Sequence, residues 1–566
     1  MNDQPHADDP GLSCGVAMTR LLERAGVRHV FGIPGNHTLE LYRGLDQSSI
    51  QHITTRHEQG AAFMADGYAR ATGQPGVCYL ISGPGLLNAA TPLGQALADS
   101  VPVLVITAVA ALPDLGKRFG KLHELPDQQA AARSFCRESL QIRHATDLIP
   151  ALERAWLIFE QERPGPAHIE IPLDVMESAA NAALLDEFSD RFTSRSTRYG
   201  RHQSATAHQA TIDSMAKRLQ AAQQPALLLG GGSQRCDPTL LQRLAETLDA
   251  PVANTVNAKG LISPTHPLAL GSSPSAPTVA DVLRTSDCVL ALGTEFSETD
   301  YDLLMAGPFG FTGDLLRIDI DPGQLNRNHT PLLSLCTAVE AALPVLLDRL
   351  AGPAANRLTT GTTRVQAART AMAREPHAQP EFRRFFETIN STLPESCVVG
   401  DSTRPTYYAT WLFERARPRS YFHSASGFGT LGYAIPAAFG AAAGTASHVL
   451  AIIGDGGAQF TLPELATGVD AQLPVTVLIW CNRGYEEIEN SLDARGVSNR
   501  STDISSPDFR TIAEAYGITA YTPGDWNELA RDLRRARDAA VAEQRPNLLL
   551  IDQEQLLSQP SGNWYS

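Results

Sequence analysis

The residues best equipped for chemistry lie in AIIGDGGAQFTLPEL, residues 451–465. An apolar strand runs into Gly454-Asp455-Gly456-Gly457, and a helical stretch follows. Small residues at such a strand end let backbone N–H groups approach an anion, and the start of a helix adds favourable potential. An aspartate in an anion site makes sense only with a cation between the two. Mg²⁺, hard and oxygen-loving, is the usual bridge to phosphate oxygens. A second apolar strand, PVTVLIW, ends at Cys481-Asn482-Arg483-Gly484-Tyr485, and Asn482 follows Asp455 by 27 residues, one helix plus one strand. In a right-handed βαβ unit that spacing brings both strand ends to the same carboxyl edge of a sheet. Asp455, the Asn482 amide oxygen and a backbone carbonyl near Gly484 could then share one Mg²⁺; otherwise these are two ordinary strand-to-helix turns.

A second candidate is ITTRHEQGAAFMADGYARATGQPGVCYLISGPGLLNA, residues 53–89. A strand runs to Arg56-His57-Glu58, an Ala/Gly-rich helix with a closely packable face follows, and Gly73 is placed to stop it. The next strand ends in Ser82-Gly83-Pro84-Gly85, a turn too lean to cover whatever lies over it. A carboxylate beside a helix of small residues is partly desolvated, which suits Glu58 to a functional role. The plainer reading of Glu58 is an N-capping or surface glutamate.

Elements that could position these residues recur along the chain. Short apolar runs, among them 29–35, 76–85, 101–108, 168–175, 226–233, 288–295, 315–321, 449–457, 474–480 and 547–553, alternate with Ala/Leu/Arg-rich helical stretches. Strands apolar on both faces belong to parallel sheets covered by helices. Residues 186–210 read as polar and without periodicity, and 352–364 as linker, with a helical stretch beyond that starts a third region. The expectation is three doubly wound α/β domains, at 1–185, 205–351 and 370–566. The 566 residues carry a formal charge of −15, against nucleic acid as main partner. No apolar run is long enough to span a membrane. The N-terminus lacks the features of a secretory signal, and eight scattered cysteines without a CxxC pair fit reduced thiols in a cytoplasm.

GDG followed by an Asn-bearing strand end resembles the thiamine diphosphate (ThDP) fingerprint, GDG…NN, with Cys481 in place of the first Asn and Asn482 as the second. RHEQ, GYARATG and SGPGLLN resemble hallmark stretches of the acetolactate synthase-like branch of ThDP enzymes. Further matches follow in register at 30–35, 102–107, 165–175 and 427–441, so the likeness covers nearly the whole chain. It implies a pyrimidine-binding first domain, a central domain, and a third domain that binds diphosphate and Mg²⁺, with the coenzyme held across a subunit interface. A homodimer would be the minimal active unit and a homotetramer the expected assembly. Glu58 would be the activating glutamate on the pyrimidine ring. Asp455 and Asn482 would hold Mg²⁺ with the Gly484 carbonyl, assisted by the N–H groups of Gly456 and Gly457. Gly83, Asn88, Gly429 and Tyr485 would line the coenzyme, and Leu431 would stand where the family bends it over a large apolar residue. The implied reaction cleaves or ligates a 2-oxo acid through a decarboxylated carbanion or enamine.

Departures from acetolactate synthase bear on specificity. Arg404, in DSTRPT, can contact phosphate or a substrate carboxylate, or be a solvated arginine. His123, in KLHEL, stands where glutamine is expected and could donate a proton or hold the oxo acid. His37 is a further candidate for that pocket. Glu486 and Glu487, in YEEIEN, could read a cationic tail such as a guanidinium, or simply enrich a helix N-terminus in acid. KLHELPDQ with GYEEI resembles bacterial decarboxylases of 5-guanidino-2-oxopentanoate. In the central domain Gly230-Gly231-Gly232 could cradle a dinucleotide, but a glutamate in the turn 293–297 disfavours a pyrophosphate, so FAD is not expected. The weighed alternatives are a flavin-bearing acetolactate synthase with a regulatory subunit, a non-catalytic homologue, and an oxidoreductase built on the central domain.

Overall fold

The apolar runs become strands of three all-parallel sheets. The first contains β1 (His29–Gly32), β2 (Gln51–Thr54), β3 (Gly76–Leu80), β4 (Val103–Val109), β5 (Glu138–Gln141) and β6 (Ala167–Pro172), in the order β2-β1-β3-β4-β6-β5. The middle one contains β7 (Pro225–Leu229), β8 (Val252–Asn254), β9 (Cys288–Leu292), β10 (Asp314–Asp319) and β11 (Leu333–Cys336), in the order β11-β10-β9-β7-β8. The third contains β12 (Cys397–Gly400), β13 (Tyr421–His423), β14 (Val449–Gly454), β15 (Val475–Cys481), β16 (Ala520–Tyr521) and β17 (Asn547–Asp552), in the order β13-β12-β14-β15-β17-β16. Counted within each sheet, the first and third share the order 2-1-3-4-6-5, so they are one topology used twice. This computed structural model describes residues 12–193, 209–300, 309–351, 359–375, 378–498, 501–502 and 504–558. Two units result. The first runs up to Gly200 and takes in Phe439–Thr445 and Pro463–Ala471; the second holds the remainder.

Parallel pairing puts strand ends on one edge. In the first unit Gly32 pairs with Thr54 and Leu80 with Thr107, so the turns leaving β1 to β4 gather there. In the third sheet Gly400 pairs with Ile452 and Gly454 with Trp480, which gathers the turns after β12, β14 and β15. β4 and β6 are buried along their whole lengths, as strands covered on both faces must be.

The helix Glu58–Thr72 is buried from Gly60 through Arg70 and stops at Gly73, whose φ of 74° is left-handed. Its small residues allow backbone contact. A Cβ on Gly440 would lie 1.8 Å from the Met64 carbonyl oxygen. Arg70 is buried but matched, donating to Asp66 at 2.7 Å and to Asp99 at 2.5 Å.

Two readings of the sequence need correction. Residues 186–193 are not irregular but lie in a helix, Ala183–Thr193. Leu184, Phe188 and Phe192 recur every fourth residue and form its inner stripe; Phe188 is fully buried, stacked 4.7 Å from Phe192, which meets Trp156 edge-on. The rest of that stretch, 194–208, lies outside the described residues. Likewise 361–364 are not linker but the first turn of the helix Gly361–Met372. This helix packs on the middle sheet's core through Val365 and Ala368, and Arg364 donates to the Pro225 carbonyl at 2.9 Å. Gly361 starts it because an added Cβ would fall 2.2 Å from the Asp249 carbonyl oxygen.

Gly230-Gly231-Gly232 has a packing role. A Cβ on Gly230 would lie 2.1 Å from the Gly293 oxygen, and the N–H groups of Gly230 and Gly232 donate to the carbonyls of Leu292 and Gly293. All eight cysteines are free thiols. Among the described residues no helix is long and apolar enough to cross a membrane.

Candidate active site

In the first unit, five of the sequence candidates meet at the carboxyl edge of the sheet. Glu58 is not at the end of β2, which stops at Thr54, but is the first residue of the following helix; His57 is the N-cap, its Nδ1 accepting from the Gln59 N–H at 3.1 Å. Half-buried, Glu58 accepts from Asn88 Nδ2 at 2.9 Å through Oε2. A Cβ on Gly85 would lie 3.5 Å from its Oε1, so this carboxylate faces the bare turn after β3. Gly83 has φ 62° and ψ −103°, and an added Cβ would sit 2.4 Å from the His123 carbonyl oxygen; only glycine serves here. His123 itself has a left-handed φ of 60°, and its buried Nδ1 has no hydrogen-bond partner among the described residues. His37 Nδ1 lies 2.8 Å from Ser82 Oγ, and its ring meets that of His123 edge-on at 5.2 Å. Burial, and next the charge of His123, hold the His37 imidazole below the usual histidine range.

In the second unit, β14 delivers Asp455 to the start of the short helix Asp455–Ala458. Its carboxylate is fully buried. Oδ1 accepts from the Gly456 N–H at 3.0 Å; Oδ2 accepts from the Arg483 N–H at 2.9 Å and from Ser506 Oγ. β15 delivers Asn482 beside it, and Asn482 Nδ2 donates to Glu486 Oε2 at 2.9 Å. Gly456 has no room for a side chain, since a Cβ would fall 2.8 Å from the Tyr485 ring, and Gly484 lies under the Thr502 carbonyl. Cys481 is not a ready thiolate: burial, followed by Asp455 and Asp552, pushes its thiol up to about 12.

Arg404 begins the helix Arg404–Leu412 and does not stand free: its Nη1 donates to Glu486 Oε1 at 2.5 Å. Glu486 is thereby engaged, whereas Glu487 is exposed, with no hydrogen bond or ion pair among the described residues. Leu431 is half-buried, between clamped neighbours. The Thr430 carbonyl accepts from Ser424 Oγ at 2.7 Å, and Asp401 accepts from the N–H groups of Gly432 at 3.2 Å and Ala434 at 2.9 Å. Gly429, on the same loop, is exposed at φ 72°.

Sequence reasoning missed the residues that brace these positions. Gln128 Oε1 accepts from the Gly83 N–H at 2.9 Å, while its Nε2 donates to Thr107, the Ala108 carbonyl and Glu170. Asp401, fully buried and pushed up to about 6 by that burial, fixes the Leu431 loop. Glu464, 1% exposed, accepts from the N–H groups of Arg56 and His57 at 3.1 and 3.0 Å, and so holds the turn that presents Glu58. Glu464→Ala leaves both N–H groups and the Thr467 hydroxyl without their acceptor. We expect it to destabilise the apoprotein by about 1–3 kcal/mol, the cost of an unsatisfied buried group, read as an earlier thermal transition; an unchanged transition would refute the bracing role.

Three family models match the chain: the N-terminal TPP binding domain of thiamine pyrophosphate enzymes over residues 13–131, the central domain over 212–346, and the C-terminal TPP binding domain over 400–551. A probable 2-ketoarginine decarboxylase, AruI of Pseudomonas aeruginosa, is 39% identical over 92% of this chain and 91% of its own length. The chain belongs to the thiamine pyrophosphate enzyme family. This ThDP-dependent enzyme is also 29% identical to a probable acetolactate synthase large subunit of Methanocaldococcus jannaschii, over 94% of this chain and 91% of that one. The acetolactate synthase large subunit IlvB1 of Mycobacterium tuberculosis is 31% identical, over 89% of this chain and 83% of its own. The three sheets are those of the family's three domains.

The residues present fit the family's cation. Asp455 is a fully buried carboxylate met only by N–H and O–H donors, with no basic side chain among the described residues to neutralise it. A buried charge in that state calls for a counter-ion. Among the described residues no three His, Cys, Asp or Glu side chains converge on a metal position. A cation at Asp455 would therefore complete its shell with the Asn482 oxygen, a backbone carbonyl and ligand oxygens, as Mg²⁺ on a phosphate does.

Proposed function

We propose that this protein is a ThDP- and Mg²⁺-dependent 2-oxo acid decarboxylase whose substrate ends in a guanidino-type cation. The supporting observation is the unengaged carboxylate of Glu487, five residues past Asn482. It lies close enough to Tyr407 to help burial push that hydroxyl up to about 12, while Glu486 is tied to Arg404. The similarity to a protein named for 2-ketoarginine points to the same cationic tail.

Asp455, Asn482 and the Gly484 carbonyl would hold the Mg²⁺, with Gly456, Gly457 and Tyr485 beside the diphosphate. Glu58 would hydrogen-bond the pyrimidine ring through Oε1, since Asn88 already holds Oε2. When bound, the coenzyme supplies the electron sink that lets a 2-oxo acid lose carbon dioxide. His37, its imidazole held by burial below the usual histidine range, can take up a proton, and the His123 ring stands edge-on beside it at 5.2 Å. A homodimer as the active unit, assembling to a homotetramer, would cover the apolar side chains each unit leaves exposed: Leu39, Phe119 and Leu122 in the first, Phe428, Phe460 and Ile488 in the second. A cytoplasmic setting would keep the eight thiols reduced. Carboligation is the second reading, favoured by the similarity to acetolactate synthases.

Carbon dioxide release across a panel of 2-oxo acids, with ThDP and Mg²⁺ supplied, tests this. 5-Guanidino-2-oxopentanoate should exceed pyruvate in kcat/KM, and pyruvate should give no acetolactate. Glu487→Gln should raise KM for the guanidino acid about tenfold, near the ~1.5 kcal/mol of one charge-assisted hydrogen bond, and leave that for pyruvate unmoved. Equal effects on both acids would reject the cationic-tail model.

A further inference from the structure

Asn482 can serve a cation through one end of its side chain only. Its amide carries an acceptor oxygen and a donor NH₂, and a half-turn about the last bond exchanges them. The end that meets Glu486 Oε2, at 2.9 Å, must be the NH₂, because an ionised carboxylate only accepts. The oxygen is thereby left facing away from Glu486.

The polarity of this contact is set further back. Trp480, fully buried in β15, has a donor-only indole N–H, which reaches Gln553 Oε1 at 2.6 Å. That fixes the Gln553 amide, whose Nε2 donates to both Glu486 oxygens, at 3.1 and 3.0 Å. Arg404 adds its charge to Oε1 at 2.5 Å. Glu486 thus receives donors from three sides, and opens the helix Glu486–Ala494, where a negative charge is favoured. Trp480 donates to Gln553 and Gln553 to Glu486, so the carboxylate ends the chain as an acceptor, and the Asn482 amide can meet it only as a donor.

We propose that Glu486 is a positioning residue that orients the Asn482 amide, oxygen toward the cation, with Gln553 and Arg404 holding it in place. This rests on the metal site proposed above and assigns Glu486 a task different from reading the substrate tail. Arg404 correspondingly acts on Glu486 and not on a phosphate. Outer-shell partners of this kind contribute about 10–100-fold to metal affinity.

The test is a double-mutant cycle read by Mn²⁺ binding, from the electron paramagnetic resonance signal of the free ion, with ThDP present and no substrate. Glu486→Ala should weaken Mn²⁺ binding about 10–100-fold. In an Asn482→Asp background both side-chain ends are oxygens and nothing remains to orient. Glu486→Ala should then cost nothing further, or tighten binding by removing a like charge. An equal loss in both backgrounds would show that Glu486 merely stabilises the loop, and overturns the proposal. Asn482→Ala is the control: if it leaves Mn²⁺ affinity intact, the metal-site reading itself fails, and the orienting role with it.

Discussion

Glu58→Gln is expected to lower turnover by about 10²–10⁴-fold, the usual contribution of a positioned acid–base group, while ThDP affinity stays within a few-fold. Glutamine keeps the shape of the side chain, and its carbonyl oxygen can still accept from Asn88 Nδ2. What it loses is the capacity to exchange a proton with a ring nitrogen. The size of the effect separates this role from the plainer one. As the first residue of the helix Glu58–Thr72, Glu58 also interacts with the helix dipole, but that is worth about 0.3–1 kcal/mol. A loss of 10²–10⁴ corresponds to roughly 2.7–5.4 kcal/mol, beyond the reach of helix electrostatics. Steady-state carbon dioxide release, paired with ThDP titration by intrinsic fluorescence, gives both quantities. Turnover equal to the parent enzyme's would remove Glu58 from the chemistry.

Much of this architecture was legible because parallel strands covered on both faces must be apolar along their length, as in VLVITAV (β4) and VTVLIWC (β15). Among the strands that escaped notice is ESLQ (β5), short and half-polar at an edge of the first sheet, where one side needs no cover, while QHIT (β2), at the other edge, reads as running on to Glu58 although it stops at Thr54. The helix Ala183–Thr193 was hidden because charged residues outnumber its inner stripe of Leu184, Phe188 and Phe192. For the candidate site, residues lying at strand ends could be found, since a strand followed by glycine and a polar residue is a local pattern. The bracing residues could not. Glu464 acts on a backbone 408 positions away, and Gln128 on one 45 away, and neither sits in a motif that names its partner. The same holds for Glu486: an acidic run at a helix start suggested a surface for ligands, yet the fold places Arg404, 82 residues upstream, against it. Charge in the sequence marks a demand for a counter-charge without saying which group meets it.

Asp455→Ala is expected to abolish the stabilisation that Mg²⁺ and ThDP together give the enzyme. A ligand at 100 times its Kd raises folded-state stability by about 2.7 kcal/mol, and this increment measures binding without reference to activity. Removing the carboxylate takes away the one formal charge offered to the cation by the Asp455–Asn482 set, so metal affinity should fall by more than the roughly 10–100-fold of an outer-shell change. The metal-free protein is a poor gauge, because two effects oppose one another there. The substitution relieves a buried, uncompensated carboxylate, but removes the acceptor of the Arg483 N–H and the Ser506 hydroxyl, at about 1.5–3 kcal/mol for each hydrogen bond to a charged group. The increment on adding the two ligands cancels both effects, since they are present before and after. In the parent enzyme, Mg²⁺ and ThDP together should raise the thermal transition clearly above that with either alone. In Asp455→Ala the curves with and without them should superimpose. An undiminished increment would mean that the cation is held elsewhere, and the diphosphate with it.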